Sequence, residues 1–256
     1  MSVAAFPAVE VNELIWVWLG AVERADIGSI PDLGFISQAH PSSRTPGYTY
    51  VRANYELLND NIMDLGHVDY LHPNTLAQGS FATIQPKCTQ DGERVSIHWD
   101  VTGVPPSRLN AAVFGDVTRI DTSTEVTWQA AGNMRLRILM RPTDAPDAPP
   151  FVSEACHLMT PETETTTHYF HCGVRNFAVD DVELTTARRA FARIAFEDED
   201  KPMVEAVQQT MGRDADFLTM KPALLAGDVG AMRVRRVIQR LREAERTAGA
   251  SVPSDF

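Results

Sequence analysis

Apolar and polar residues alternate with period two over several stretches between residues 81 and 174, and alternation of that kind marks strands with one buried face. In 133–141, Met134, Leu136, Ile138 and Met140 share one face, with Arg135, Arg137, Leu139 and Arg141 on the other. Strands are expected over 81–88, 93–102, 116–121, 124–130, 133–141, 152–160 and 165–174. Asp91-Gly92, Ala131-Gly132 and the stretch PTDAPDAPP at 142–150 supply turns between them. Strands this closely spaced predict an antiparallel meander. Residues 6–19 alternate and then run aromatic, which predicts one or two further strands. Residues 20–47 carry Gly28, Pro31, Gly34, Pro41 and Pro46 and read as a linker with turns.

Helical spacing is expected over about Tyr55 to Leu71, over about Asp181 to Met211 with Asp180 or Asp181 as cap, and over about Asp228 to Ala248. The Arg-rich end of the last helix, RVRRVIQRLREAER at 233–246, reads as a solvated face with i,i+4 pairs or as a trimer contact. The sum is an α+β architecture: an antiparallel sheet wrapped by a few helices.

Charge and length narrow the field. The 256 residues carry a net charge of −11, which argues against a nucleic-acid partner. No run is long enough to span a membrane. The N-terminal stretch is apolar but lacks a basic region and contains Glu10 and Glu13, so it is not read as a signal peptide. Cys88, Cys156 and Cys172 are far apart and form no C-x2-C pair, which fits a reduced, cytoplasmic setting and excludes a zinc ribbon.

Within the first helix lies NDNIMDLGHVDYLHP, residues 59–73. Asn61, Asp64 and His67 are three apart and share one face, a polar stripe among Leu58, Ile62, Leu65 and Val68. Such a stripe needs partners or it costs several kcal/mol. In a regular helix His72 lies about 140° round from His67, so both meet one metal only if the helix ends or distorts between them. Pro73 supplies the ending, because it pushes His72 out of the α region. The stretch FEDEDKPMVE, residues 196–205, offers a third ligand. Pro202 is expected to break the helix there, disfavour α geometry at Lys201 and aim Asp200, the acid nearest the break, inward. Two imidazoles and one carboxylate with open positions form the facial arrangement of non-haem Fe(II) oxygenases. The same set also suits a hydrolytic zinc site, although the spacing differs from the H-E-x-x-H helix.

Three separate stretches, NDNIMDLGHVDYLHP (59–73), HLMTPETETTTHYFHCGVRNFAVDD (157–181) and EDKPMVEAVQ (199–208), resemble the catalytic domain of Rieske non-haem iron oxygenases, in the vanillate O-demethylase and dicamba monooxygenase branch. NELIWVWLG (12–20) is similar to the end of that family's Rieske domain, leading into IPDLGF (30–35). The resemblance implies a helix-grip fold of the START/Bet v 1 kind and three segments: a remnant of Rieske-domain strands at 1–20, a linker at 21–47 and a mononuclear iron domain at 48–256. It implies His67, His72 and Asp200 as Fe(II) ligands. Asp64 becomes the bridging carboxylate, bonded to His67 and to a cluster-ligating histidine of a neighbouring subunit, and Asn61 a neighbour of the iron. His157 falls where related demethylases place a substrate-contacting histidine, and Phe191 is a second substrate candidate. The implied activity is O2-dependent monooxygenation, as O-demethylation or ring hydroxylation, of an aromatic and acidic substrate. A reductase or ferredoxin would supply electrons, and a homotrimer is expected.

One departure stands out. The family holds its 2Fe-2S Rieske cluster with a C-x-H and a C-x2-H pair, and this chain has neither. A truncated gene is the favoured expectation, ahead of a separate cluster-bearing polypeptide or a degenerate homologue. The competing functions are a helix-grip ligand-binding module without electron supply and a zinc hydrolase.

Overall fold

The computed structural model describes residues 5–213, 217 and 219–250; residues 1–4 of the expected remnant and 251–256 at the other end lie outside them. A hairpin comes first, with β1 (Ala8–Val11) pairing antiparallel with β2 (Leu14–Val17). Asn12 and Glu13 both take positive φ, 56° and 64°, as a two-residue turn matched to strand twist requires. The connection holds the short α1 (Gly34–Gln38). The body follows: β3 (Thr45–Val51), α2 (Tyr55–Met63), α3 (Val68–Leu71), β4 (Lys87–Asp91), β5 (Arg94–Val104), α4 (Arg108–Phe114), β6 (Ile120–Gln129), β7 (Asn133–Pro142), β8 (Phe151–Thr163) and β9 (Thr166–Arg175), then α5 (Val182–Arg193), α6 (Lys201–Met211) and α7 (Val229–Ala250).

Seven of these strands form one antiparallel sheet in the order β3-β9-β8-β7-β6-β5-β4. The period-two pattern fixes which face is covered. Val95, Ile97 and Trp99 of β5, Val126 and Trp128 of β6 and Met134 of β7 point inward, against Leu58, Ile62 and Met63 of α2 and Val234, Val237 and Ile238 of α7. This is the expected α+β, helix-grip arrangement. The outer face is partly covered as well: Leu14, Trp16 and Phe35 pack with Leu33, Ile36, Cys156, Leu158 and Cys172.

Several boundaries moved, each for a physical reason. The strand expected over 81–88 starts only at Lys87, because Phe81–Thr83 form a 3-10 turn. The pieces 116–121 and 124–130 are one strand, since Ile120, Thr122, Thr124, Val126 and Trp128 keep a single buried face throughout. β3 lies partly within the expected linker and begins at Thr45. The Arg-rich C-terminal helix has a solvated face, with Arg236, Arg240 and residues 242–247 exposed, and also a buried one: Val234, Val237 and Ile238 lie in the core, and Arg235 is 7% exposed. No helix among the described residues is long and apolar enough to cross a membrane.

Candidate metal centre

The expected first helix is divided. Asn54 caps α2, its side chain accepting the Glu56 N–H at 2.9 Å. The helix stops at Asp64, which takes extended geometry (φ −126°, ψ 99°), and Leu65–His67 form a 3-10 turn leading into α3. The Asp64 carboxylate caps that turn by accepting the Gly66 N–H at 2.8 Å. At the far end His72 leaves the α region (φ −113°, ψ 42°) just ahead of Pro73. This distortion brings the imidazoles of His67 and His72 together, with ring centres 5.3 Å apart.

Asp200 arrives from the long C-terminal helical stretch. Pro202 does not break it: Lys201 keeps α geometry (φ −54°, ψ −48°), and α5 runs into α6 through a π-helical segment, Ile194–Asp200. In an α-helix the proline ring collides with the carbonyl four residues back. A π turn is wider, so the ring is accommodated and the residues after the insertion are rotated about the axis. That rotation, and not a chain break, turns Asp200 inward until it is 4% exposed. Asp200 Oδ1 lies 3.2 Å from His72 Nε2 and 3.6 Å from His67 Nε2. Ligand atoms of all three residues fall within 4.8 Å of one another.

The surrounding hydrogen bonds decide what this trio can hold. His67 Nδ1 lies 2.5 Å from the main-chain carbonyl of Asp64, and His72 Nδ1 lies 2.7 Å from Glu199 Oε2, which also accepts from Thr75. Both partners only accept, so each Nδ1 donates, and each Nε2 is left facing Asp200, where a bound cation would take its lone pair. Asp200 Oδ1 is buried with no hydrogen bond of its own. Two imidazole lone pairs and an orphaned carboxylate oxygen in one place are a ligand set for a cation. Burial alone would push His72 below its usual pKa, but Asp200 and Glu199 together hold it above 6.5.

Beside the trio lies a cavity of about 170 Å³. Its walls are mostly apolar: Ile62, Leu65 and Val68 from the segment that carries the histidines, Leu109 from α4, Leu136 and Ile138 from β7, and Ala192, Ala195 and Phe196 from the long helical stretch. His157 lines it, with Nδ1 2.5 Å from the Tyr169 hydroxyl and Nε2 buried without a partner. Burial, with His171 adding to it, depresses the pKa of His157 to about 3, so this ring is neutral.

The other candidates are placed differently. Phe191 is half-buried on α5 and is not among the cavity side chains; Phe196, on the π segment, supplies the ring instead. Asn61 and Asp64 line a second groove, on the outer side of α2, with Met203, Val207 and Leu224. The carboxylate contact expected from Asp64 to His67 is made by the Asp64 carbonyl, because the side chain is occupied in capping. The backbone at Gly227 packs against that carboxylate so closely that a Cβ there would sit 2.6 Å from Oδ1. His67 lines both the cavity and the groove. Glu199, which orients His72, had no distinguishing signal in the acidic run beyond its place next to Asp200.

A helix-grip sheet with a two-histidine, one-carboxylate trio beside an apolar cavity is the catalytic-domain fold of an oxygenase component, with a set of side chains that could hold a metal ion. The comparisons with known proteins agree. Residues 51–244 match the vanillate O-demethylase oxygenase C-terminal domain, and the chain belongs to that family. It is 34% identical, over 96% of its length and 72% of the relative's, to the oxygenase component of dicamba O-demethylase from Stenotrophomonas maltophilia. It is 29% identical, over 98% of its length and 78% of the relative's, to the vanillate O-demethylase oxygenase subunit of a Pseudomonas species. The crystal structure of dicamba monooxygenase bound to 3,6-dichlorosalicylic acid superposes with a TM-score of 0.86 at 33% identity, covering 94% of this chain and 71% of that one.

Proposed function

We propose that this chain is the catalytic domain of the oxygenase component of a Rieske-type system, with His67, His72 and Asp200 as the ligands of a mononuclear Fe(II). The observation that carries this reading is the convergence of two Nε2 lone pairs and the unpartnered Asp200 Oδ1 beside an apolar cavity. Ferrous iron held there supplies oxygen activation and insertion of one oxygen atom into the substrate, with electrons from a Rieske cluster. The protein's own part is orientation and exclusion of water. Glu199 and the Asp64 carbonyl lock the two rings in register. The apolar walls keep the reacting carbon dry, and neutral His157 offers Nε2 to a polar group of the substrate. An apolar cavity of about 150 Å³ holds benzene, so the space at hand, about 170 Å³, suits one substituted aromatic ring. Two of the relatives are named O-demethylases, and a methyl ether is the substrate class this supports. Oxidising the methyl group releases formaldehyde and a phenol.

No C-x-H or C-x2-H pair occurs in the 256 residues, so the electrons come from a cluster held outside them. Asp64, in the surface groove and one turn from His67, is the residue this reading assigns to the electron route, with Asn61 beside it. The remaining assignments follow the same reading: the β1–β2 hairpin as the end of a Rieske domain, a linker from there to β3, a reductase or ferredoxin donor, a homotrimer and a cytoplasmic location. The test is anaerobic titration with Fe(II) followed by metal analysis. The expected result is close to one iron per chain, lost in His67→Ala and in Asp200→Ala while the circular dichroism spectrum is kept. Full iron occupancy in both variants overturns the assignment.

A further inference from the structure

Arg188 is the one arginine or lysine among the residues that line the cavity. It sits on α5 with Ala192 one turn on, at the end of the helical wall away from Asp200. Its guanidinium donates to two neutral acceptors, Asn110 Oδ1 and Ser153 Oγ, both at 3.1 Å. It lies 5.7 Å from the centre of the Phe177 ring. Among the described residues no carboxylate pairs with it. Glu154, which also borders the cavity, is bound to Arg135 and Arg137 on the opposite face of the sheet. Burial, with Arg175 as a second cause, lowers the Arg188 pKa to about 10, which leaves it charged at neutral pH. A guanidinium carries five N–H donors, and two are used here. A half-buried cation that lines an apolar cavity with spare donors and no counter-ion is the natural partner of an anion that enters it.

We propose that Arg188 binds an anionic substituent of the aromatic substrate, a carboxylate or sulfonate, at the end of the cavity remote from His67, His72 and Asp200. The proposal rests on the function argued above and adds a position for the charge. Twelve residues separate Arg188 from Asp200, at most roughly 18 Å along the helix axis at the α-helical rise and less here, because the wider π segment advances less per residue. The arginine arm and the ligand shell of Asp200 take up part of that span. What remains suits a ring whose acid group lies opposite the carbon to be oxidised, and it leaves an ortho acid short of the guanidinium. Arg188 therefore selects both for charge and for the place of that charge on the ring.

The test is equilibrium binding by calorimetry of 4-methoxybenzoate, 2-methoxybenzoate and neutral 4-methoxybenzamide, in the wild type, in Arg188→Met and in His67→Ala. A charge-assisted hydrogen bond is worth roughly 10- to 100-fold in affinity. The wild type is expected to bind 4-methoxybenzoate tighter than the amide and than the ortho acid by a factor in that range. Arg188→Met, with its thermal unfolding checked, should lose this preference and keep its affinity for the amide. His67→Ala should keep the preference, because the anion site does not depend on iron; if the metal assignment failed, this arm would still report on Arg188. Equal wild-type affinity for the 4-methoxy acid and the amide overturns the proposal. So does an equal loss for both in Arg188→Met, which would mark Arg188 as purely structural.

Discussion

His157 shows how one residue couples the cavity to stability. Buried beside Tyr169 and His171, it has its pKa pushed down to about 3 from 6.5. The unfolded chain takes up a proton at this residue below pH 6.5 and the folded chain does not. Folding stability therefore holds above pH 6.5 and falls as the pH drops toward 3, by about 1.4 kcal/mol for each unit. His157→Gln keeps a polar group beside the Tyr169 hydroxyl and removes the titration. Urea unfolding at pH 6.5 and pH 4.5 should show a smaller decline in the variant than in the wild type; equal declines would mean that His157 is protonated in the fold. At this scale much of the site was legible. The ring pair His67 and His72 could be read because its cause is local: Pro73 acts on the residue beside it. Arg188 could not be read, because its meaning is the lack of a carboxylate among neighbours drawn from α4 and β8, distant in sequence.

Elements differ in how much of their phase the residue pattern carries. Asp200 was singled out through Pro202 for an inward turn, and it does turn inward, but by a π segment that the residue pattern does not encode as such. β3 is hidden in the sequence because Pro46 and Gly47 look like linker. In the fold Gly47 faces the His171 ring, where a Cβ would approach Cε1 to 2.1 Å, so the glycine marks a close approach within a strand. Phe191 and Phe196 were separable only once the wide turn had fixed the phase of the helix. A π segment is in effect one residue inserted into an α-helix, and that makes it testable by deletion. Removing Asp198, which is solvent-facing on this segment, should restore regular α geometry, and because the lost residue and the closed wide turn offset each other by about 100° each, Asp200 should keep its phase relative to α5. Helix content by circular dichroism and iron binding should both be preserved. Iron binding lost with the helix content kept would show that the wide turn does more than absorb one residue.

On the scale of the whole molecule, the last helix closes onto the first helix of the body. Arg235 of α7 reaches both Asp60, at 3.0 Å through Nε, and Glu56, at 3.2 Å, on α2, and stacks 3.9 Å over Phe217. Arg242 adds a second bond to Glu56 at 2.7 Å. α2 leads directly into Asp64 and His67, so this clamp, joining residues 175 apart in sequence, also steadies the ligand turn. Burial raises the Asp60 pKa to about 6 despite the opposing pull of Arg235. Removing one member of a buried ion pair typically costs about 3–5 kcal/mol, because the partner charge is left stranded. Arg235→Ala should lose that much in urea unfolding at pH 8. The sign of the pH effect then follows from the raised pKa: a carboxyl that prefers its proton in the fold gains stability as the pH falls through its folded value. With Arg235 gone Asp60 takes up a proton more readily, so the deficit relative to wild type should narrow between pH 8 and pH 6. A deficit that stays constant or widens over that interval would show that Asp60 is not the stranded charge, and that α7 is held by its apolar face alone.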